Sequence, residues 1–177
     1  KVTGVQTCAL PIYVYLENGV LQVRCCDLEL DEKLEFPLIT KNKYVKEMIF
    51  FDMIFIRQDP PFDMNYVSNS YLLEKIRNEV VFVNDPVEIR NAPEKLLVCD
   101  FAHYMPLTLI VSDYKILKDI NFKTEQIILK PLYGCGGVDI FKFSRYDLMF
   151  EKKFIELQNK YNSPLVIQEY LPQIKLG

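Results

Sequence analysis

The chain has 177 residues, 50% hydrophobic and 25% charged, which is the balance of a globular protein and excludes a disordered one. A formal net charge of −3 excludes the broadly basic surface that nucleic-acid binding requires, although a local basic pocket stays open. The longest apolar run, residues 48–56, is broken by Asp52 and is too short to cross a bilayer.

His103 is the single histidine, and the five cysteines show no zinc-finger spacing. A histidine-dependent triad or a Cys/His metal site is therefore not expected. The adjacent Cys25 and Cys26 are poorly placed for a disulfide, and free thiols point to a reducing, cytoplasmic setting. Residues 2–12, VTGVQTCALPI, resemble the conceptual translation of a sequencing-library adapter. Residues 1–12 are accordingly expected to lie outside the native chain, Cys8 with them; the alternative is an ordinary strand and loop. The other end, at Gly177, follows a motif that ought to lead onward.

In chain order, residues 13–16 and 20–26 flank Glu17-Asn18-Gly19, and Asn-Gly between two apolar runs predicts a β-hairpin. Residues 27–47 are charged and irregular and read as a surface loop or weak helix. Residues 50–56 predict a strand buried on both faces of a parallel sheet, ending at Arg57-Gln58-Asp59-Pro60-Pro61. A helix over 66–77, with Tyr71, Leu72 and Ile76 on its apolar face, leads to a strand at 80–83. The character changes near Asn84, and a domain boundary is expected within 84–92. A helix at 92–102 carries Lys95, a strand follows at 108–111, and Ser112 is placed to cap the next helix. Strands are predicted at 126–132, 138–143 and 165–168, with a helix over 145–160. The first two of these form an antiparallel hairpin about a glycine-rich turn.

That turn is Gly134-Cys135-Gly136-Gly137. Three glycines in four positions let backbone N–H groups converge on a phosphate, and they also suit a plain flexible turn. No Lys-Ser/Thr follows the last glycine, so this is not a Walker loop. Lys130 sits among apolar neighbours in ILKPL just before the loop, where a charge costs free energy unless it is paired or serves a ligand. The alternative is an outward-facing lysine with its ammonium in water. Lys95 by itself reads as a solvated helix lysine. Residues 165–172, LVIQEYLP, form a strand that turns polar and stops at proline, which leaves backbone groups able to read an adenine edge or simply marks a strand end. Arg57 and Asp59 follow a buried strand, where α/β sheets bind ligands, or else pair with each other on the surface.

The order of these pieces carries more than any one of them. RQDPPFD (57–63), NAPEKL (91–96), ILKPLYGCGG (128–137) and QEYLP (168–172) resemble the bacterial glutathione synthetases, members of the ATP-grasp superfamily, from about Tyr13 to Gly177. The resemblance implies an α/β N-terminal, pre-ATP-grasp domain at 13–90 and the α+β first part of an ATP-grasp domain at 91–177, both incomplete. It implies that Lys95 and Lys130 contact the phosphates of ATP and that Gly134, Cys135, Gly136 and Gly137 close over them. Gln168, Glu169, Tyr170 and Leu171 would form the adenine-reading segment, through the backbone of Glu169 and Leu171, and Arg57 and Asp59 would lie near the peptide substrate. Cys135 is given no chemistry. Asp139, unusual behind the loop, bears on its mobility.

The implied reaction is ATP-dependent condensation of γ-glutamylcysteine with glycine through an acyl phosphate, with Mg2+ neutralising the phosphates. The family's magnesium-binding carboxylates and later basic element are not expected before Gly177, so no metal ligand is assigned in this chain, and the 177-residue chain is expected to be inactive by itself. No nucleic-acid or membrane partner is implied. The full-length protein is expected to form a homo-oligomer, commonly a tetramer in the family. Two other readings stay open: a different ATP-grasp carboxylate–amine ligase, and a nonenzymatic nucleotide-binding module.

Overall fold

The computed structural model describes residues 6–8, 13–30 and 38–176. The chain divides into two compact units, Lys1–Asp59 with Met64–Asn91, and Pro60–Asp63 with Ala92–Gly177. Apart from residues 6–8, the segment read as adapter lies outside the described residues. Those three form strand β1 (Gln6–Cys8), which pairs antiparallel with β3.

In the first unit, β2 (Val14–Glu17) and β3 (Val20–Leu30) form the expected hairpin. Asn18 and Gly19 both have positive φ, 49° and 84°, which the tight turn demands. Residues 27–47 are not the loop or weak helix expected: β3 runs on to Leu30, and β4 (Leu38–Glu47) pairs along it. The pattern was hard to read because β4 is mostly exposed, with Tyr44 reaching the core, and lacks an apolar alternation. Cross-strand bonds hold it instead, with the Asp27 carboxylate accepting from Asn42 at 3.1 Å and Tyr44 at 2.7 Å. Leu21, Val23 and Cys25, spaced by two, turn one face of β3 into a core with Met48, Leu73, Ile76 and Val80. Burial pushes the Cys25 thiol up, as suits a packing residue.

The predicted strand at 50–56 shrinks to β5 (Met53–Phe55), after a 3-10 turn at Met48–Phe50. It pairs in parallel with β6 (Val81–Val83), and α1 (Met64–Glu74) makes the crossover. Burial on both faces does not hold. Met53 and Phe55 are 46% and 63% exposed, because the sheet has two strands and nothing described covers that side. On α1 the buried residues are Ser70 and Leu73, with Ile76 just beyond; Tyr71 faces outward beneath the Arg90 guanidinium. Asp85 starts α2 (Pro86–Asn91) by accepting from the amides of Val87 and Glu88.

The second unit begins with α3 (Glu94–Leu97), continued by a 3-10 segment, Val98–Tyr104. Its sheet runs in the order β7 (Thr108–Val111), β10 (Leu165–Glu169), β8 (Gln126–Pro131), β9 (Phe141–Ser144), antiparallel throughout. The 3-10 turn after β7 is capped by Asp113, which accepts from the Lys115 amide, and not by Ser112. On β8 the alternation is strict. Ile127, Leu129 and Pro131 are buried, while Gln126, Ile128 and Lys130 look the other way. The buried side packs on α4 (Phe150–Tyr161) through Phe150, Phe154 and Leu157, with Leu165, Ile167 and Phe122 completing the core.

Phe154 has no exposed surface and lies at the centre of this layer. Phe154→Ala should cost about 3–5 kcal/mol and lower the urea midpoint of the second unit. An unchanged midpoint would mean that α4 does not anchor the sheet.

Candidate functional site

The strand alternation that buries Ile127 and Leu129 presents Lys130 on the opposite face of the sheet. The register builds a row across that face, Thr108 on β7, Gln168 on β10, Ile128 on β8 and Lys142 on β9. Lys130 is the diagonal neighbour of Gln168. Its ammonium donates to Gln168 Oε1 at 3.0 Å, Gln168 Nε2 donates to Thr108 Oγ1 at 2.6 Å, and Thr108 donates to the Pro106 carbonyl at 2.8 Å. A chain of neutral partners thus orients Lys130 without neutralising it. Burial depresses the Lys130 pKa first and the nearby Lys95 charge depresses it further, with Glu94 opposing. The resulting electrostatic need is for an anion.

Lys95, on α3, donates to the Gly134 carbonyl at the start of the glycine-rich loop. A β-carbon on Gly134 would run into the Pro131 ring, so only glycine fits there. Gly136 and Gly137 have φ of 63° and 73°, a region that glycine enters freely. Phe62 stacks on Tyr133 with ring centroids 5.5 Å apart, so the end of RQDPPFD packs in this unit. A cleft beside the loop is lined by Phe62, Glu94, Lys95, Leu132, Tyr133 and Cys135.

Hydrogen bonds join Lys95 to Gly134 and Lys130 to Gln168, the Lys95 charge acts on Lys130, and Cys135, Gly136 and Gly137 continue the loop. Tyr170 receives the Lys142 ammonium over its ring at 3.9 Å. The Glu169 amide donates to the Leu107 carbonyl and the Tyr170 amide to the Gln126 carbonyl, both at 3.0 Å, so neither amide is left for a base edge. The Glu169 side chain is buried and accepts from the amides of Lys123 and Leu107, which ties two loops to the strand end. Leu171 is 47% exposed. Arg57 and Asp59 belong to the first unit and follow β5 there. Thr108 and Lys142 escaped the sequence reading. Their signal is the register of the sheet, which only pairing reveals.

Comparison with known proteins fits this geometry. The family model for the prokaryotic glutathione synthetase ATP-grasp domain matches residues 94–177, and the D-cycloserine synthetase DcsG shares the fold. That likeness has a TM-score of 0.53 at 16% identity, covering 71% of this chain and 46% of the other. The second unit is thus an ATP-grasp unit. The model for the prokaryotic glutathione synthetase N-terminal domain matches residues 6–90. Glutathione synthetase of Agrobacterium fabrum is 43% identical over 71% of this chain and 40% of its own, and that of Brucella melitensis 34% identical over 94% and 54%. The Salmonella typhimurium synthetase is 33% identical over 93% of this chain and 52% of its own. The chain belongs to the prokaryotic glutathione synthetase family and spans about half the length of the curated relatives it matches.

The lowered Lys130 pKa sets a stability test. Between that value and the ordinary lysine range the unfolded chain holds the extra proton, so stability rises with pH in this window. Lys130→Met should abolish this rise and leave the chain at least as stable at pH 7, as urea unfolding at pH 7 and above that window would show. A loss of stability at pH 7 would mean that Lys130 is structural.

Proposed function

We propose that this chain carries the nucleotide-binding part of a glutathione synthetase, with ATP as the substrate held against the open face of the second sheet. The observation that supports this best is Lys130, a half-buried cation oriented by Gln168 and lowered in pKa beside Lys95, with the glycine-rich loop adjoining. Two ammonium groups and unhindered backbone amides suit a polyphosphate. Lys95 and Lys130 would neutralise charge that spreads over the phosphoryl oxygens, and the loop would exclude water that could intercept an activated carboxylate.

In the full-length protein the reaction is the joining of γ-glutamylcysteine to glycine, driven by phosphoryl transfer from ATP to the dipeptide carboxylate. Arg57 and Asp59 are assigned to the dipeptide, and Gln168, Glu169, Tyr170 and Leu171 to the base end of ATP. Magnesium is the metal this chemistry uses. Among the described residues no group of three His, Cys, Asp or Glu side chains could hold a metal ion, so no step through magnesium is assigned to this chain. Among those residues no helix is long and apolar enough to cross a membrane. A cytoplasmic, homo-oligomeric enzyme, commonly tetrameric in this family, is the setting we assign.

Lys130→Ala should weaken ATP binding about 10- to 100-fold, the worth of a charge-assisted hydrogen bond to phosphate, measured by calorimetry. With the gene extended to full length, phosphate release should require both γ-glutamylcysteine and glycine and should collapse in the same variant. A folded protein that binds ATP yet releases no phosphate with these substrates would point to another carboxylate–amine ligase.

A further inference from the structure

The glycine-rich loop is held at both ends by side chains from outside the hairpin. At its start, Lys95 donates to the Gly134 carbonyl. At its far end stands Asp139, whose carboxylate Oδ2 accepts from Lys160 Nζ and from Tyr161 Oη, each at 2.6 Å. Both donors lie in the last turn of α4, the helix rooted in the core by Phe150, Phe154 and Leu157. Between the two ties, the one backbone bond described within the loop is a long one, from the Val138 amide to the Cys135 carbonyl at 3.3 Å. Asp139 itself has φ of 58°, a left-handed conformation that Asp and Asn tolerate better than other side chains. The Asp139 side chain is 18% exposed and that of Lys160 56%. The two donors also hold the Asp139 carboxyl below the usual carboxylate range, Lys160 contributing most.

We propose that Asp139 is a positioning residue for the phosphate loop, bracing its outgoing end to α4 so that residues 135–138 meet the phosphates already ordered. The inference rests on the nucleotide reading above and adds a part to it. A loop tied at both ends has little freedom left to lose on binding, which favours affinity through preorganisation. Without the brace the same amides must be ordered by the ligand. The base end of the nucleotide, bound at the end of β10, is untouched by this change. The brace should therefore discriminate between ligands with and without phosphates.

Three variants weaken the brace from different sides. Asp139→Asn keeps the left-handed backbone and removes the charge; Lys160→Gln and Tyr161→Phe alter α4 alone, away from the loop. Hydrogen exchange without nucleotide should quicken at the amides of residues 135–139 in each variant and stay unchanged in the core strands. ATP binding should weaken about fivefold, in line with an ion pair of modest worth, with adenosine affinity unchanged. Asp139→Asn combined with Lys160→Gln should weaken ATP little more than Asp139→Asn alone, since both remove the same Asp139–Lys160 ion pair. Equal losses for ATP and adenosine would overturn the proposal, because Asp139 would then only stabilise the unit. Unaltered loop exchange in all three variants would overturn it as well. A parent chain that binds no ATP would refute the nucleotide reading, while the exchange rates would still decide whether the brace holds the loop.

Discussion

A lysine ammonium on a sheet strand whose neighbours are apolar is the constraint around which the second unit is arranged. Lys130 cannot be shed into the core, because Ile127 and Leu129 fill that side against α4. Its hydrogen-bond partner is the uncharged Gln168, and burial together with the Lys95 charge outweighs the opposing pull of Glu94. A protein selected for stability alone would place an apolar residue there. The unit retains a lysine whose ionisation is depressed by burial and by Lys95, and such tension is common where a site awaits a ligand of opposite sign.

The surrounding parts follow from serving that charge. The antiparallel register sets Gln168 diagonal to Lys130 and directly opposite Thr108, so the relay to the Pro106 carbonyl arises from strand pairing alone. The hairpin from β8 to β9 must reverse beside the lysine, and glycines with positive φ make the reversal without side chains that would screen the backbone amides. Lys95 enters from a separate helix and touches the loop rather than Lys130. The Glu169 carboxylate accepts from two loop amides, those of Leu107 and Lys123.

Much of this was legible in the residues. The order of four motifs, with the isolated Lys130 and the glycine cluster among them, pointed to the family before any strand was paired. The β2–β3 hairpin declared itself by Asn18-Gly19 between two apolar runs, and β8 by an apolar run leading into the glycine-rich turn. What stayed hidden lacked an apolar pattern or depended on partners distant in sequence. Strand β4 is mostly exposed and without apolar alternation and is held by Asp27, Asn42 and Tyr44, so it resembled a loop. Residues 50–56 looked fully buried because composition cannot tell a central strand from one left open in a two-stranded sheet. Thr108 and Lys142 became part of the site only through register, and the capping role fell to Asp113, one residue past the serine that local sequence favoured.

The central claim is that Lys130 is a strained cation that a polyphosphate relieves. It is tested most directly by following the Lys130 side chain by NMR in a lysine-labelled chain, assigned with Lys130→Met, through a pH titration with and without ATP. The account predicts that Lys130 titrates below the ordinary lysine range in the free chain and moves upward when ATP is added. An ordinary titration that ATP does not shift would contradict it.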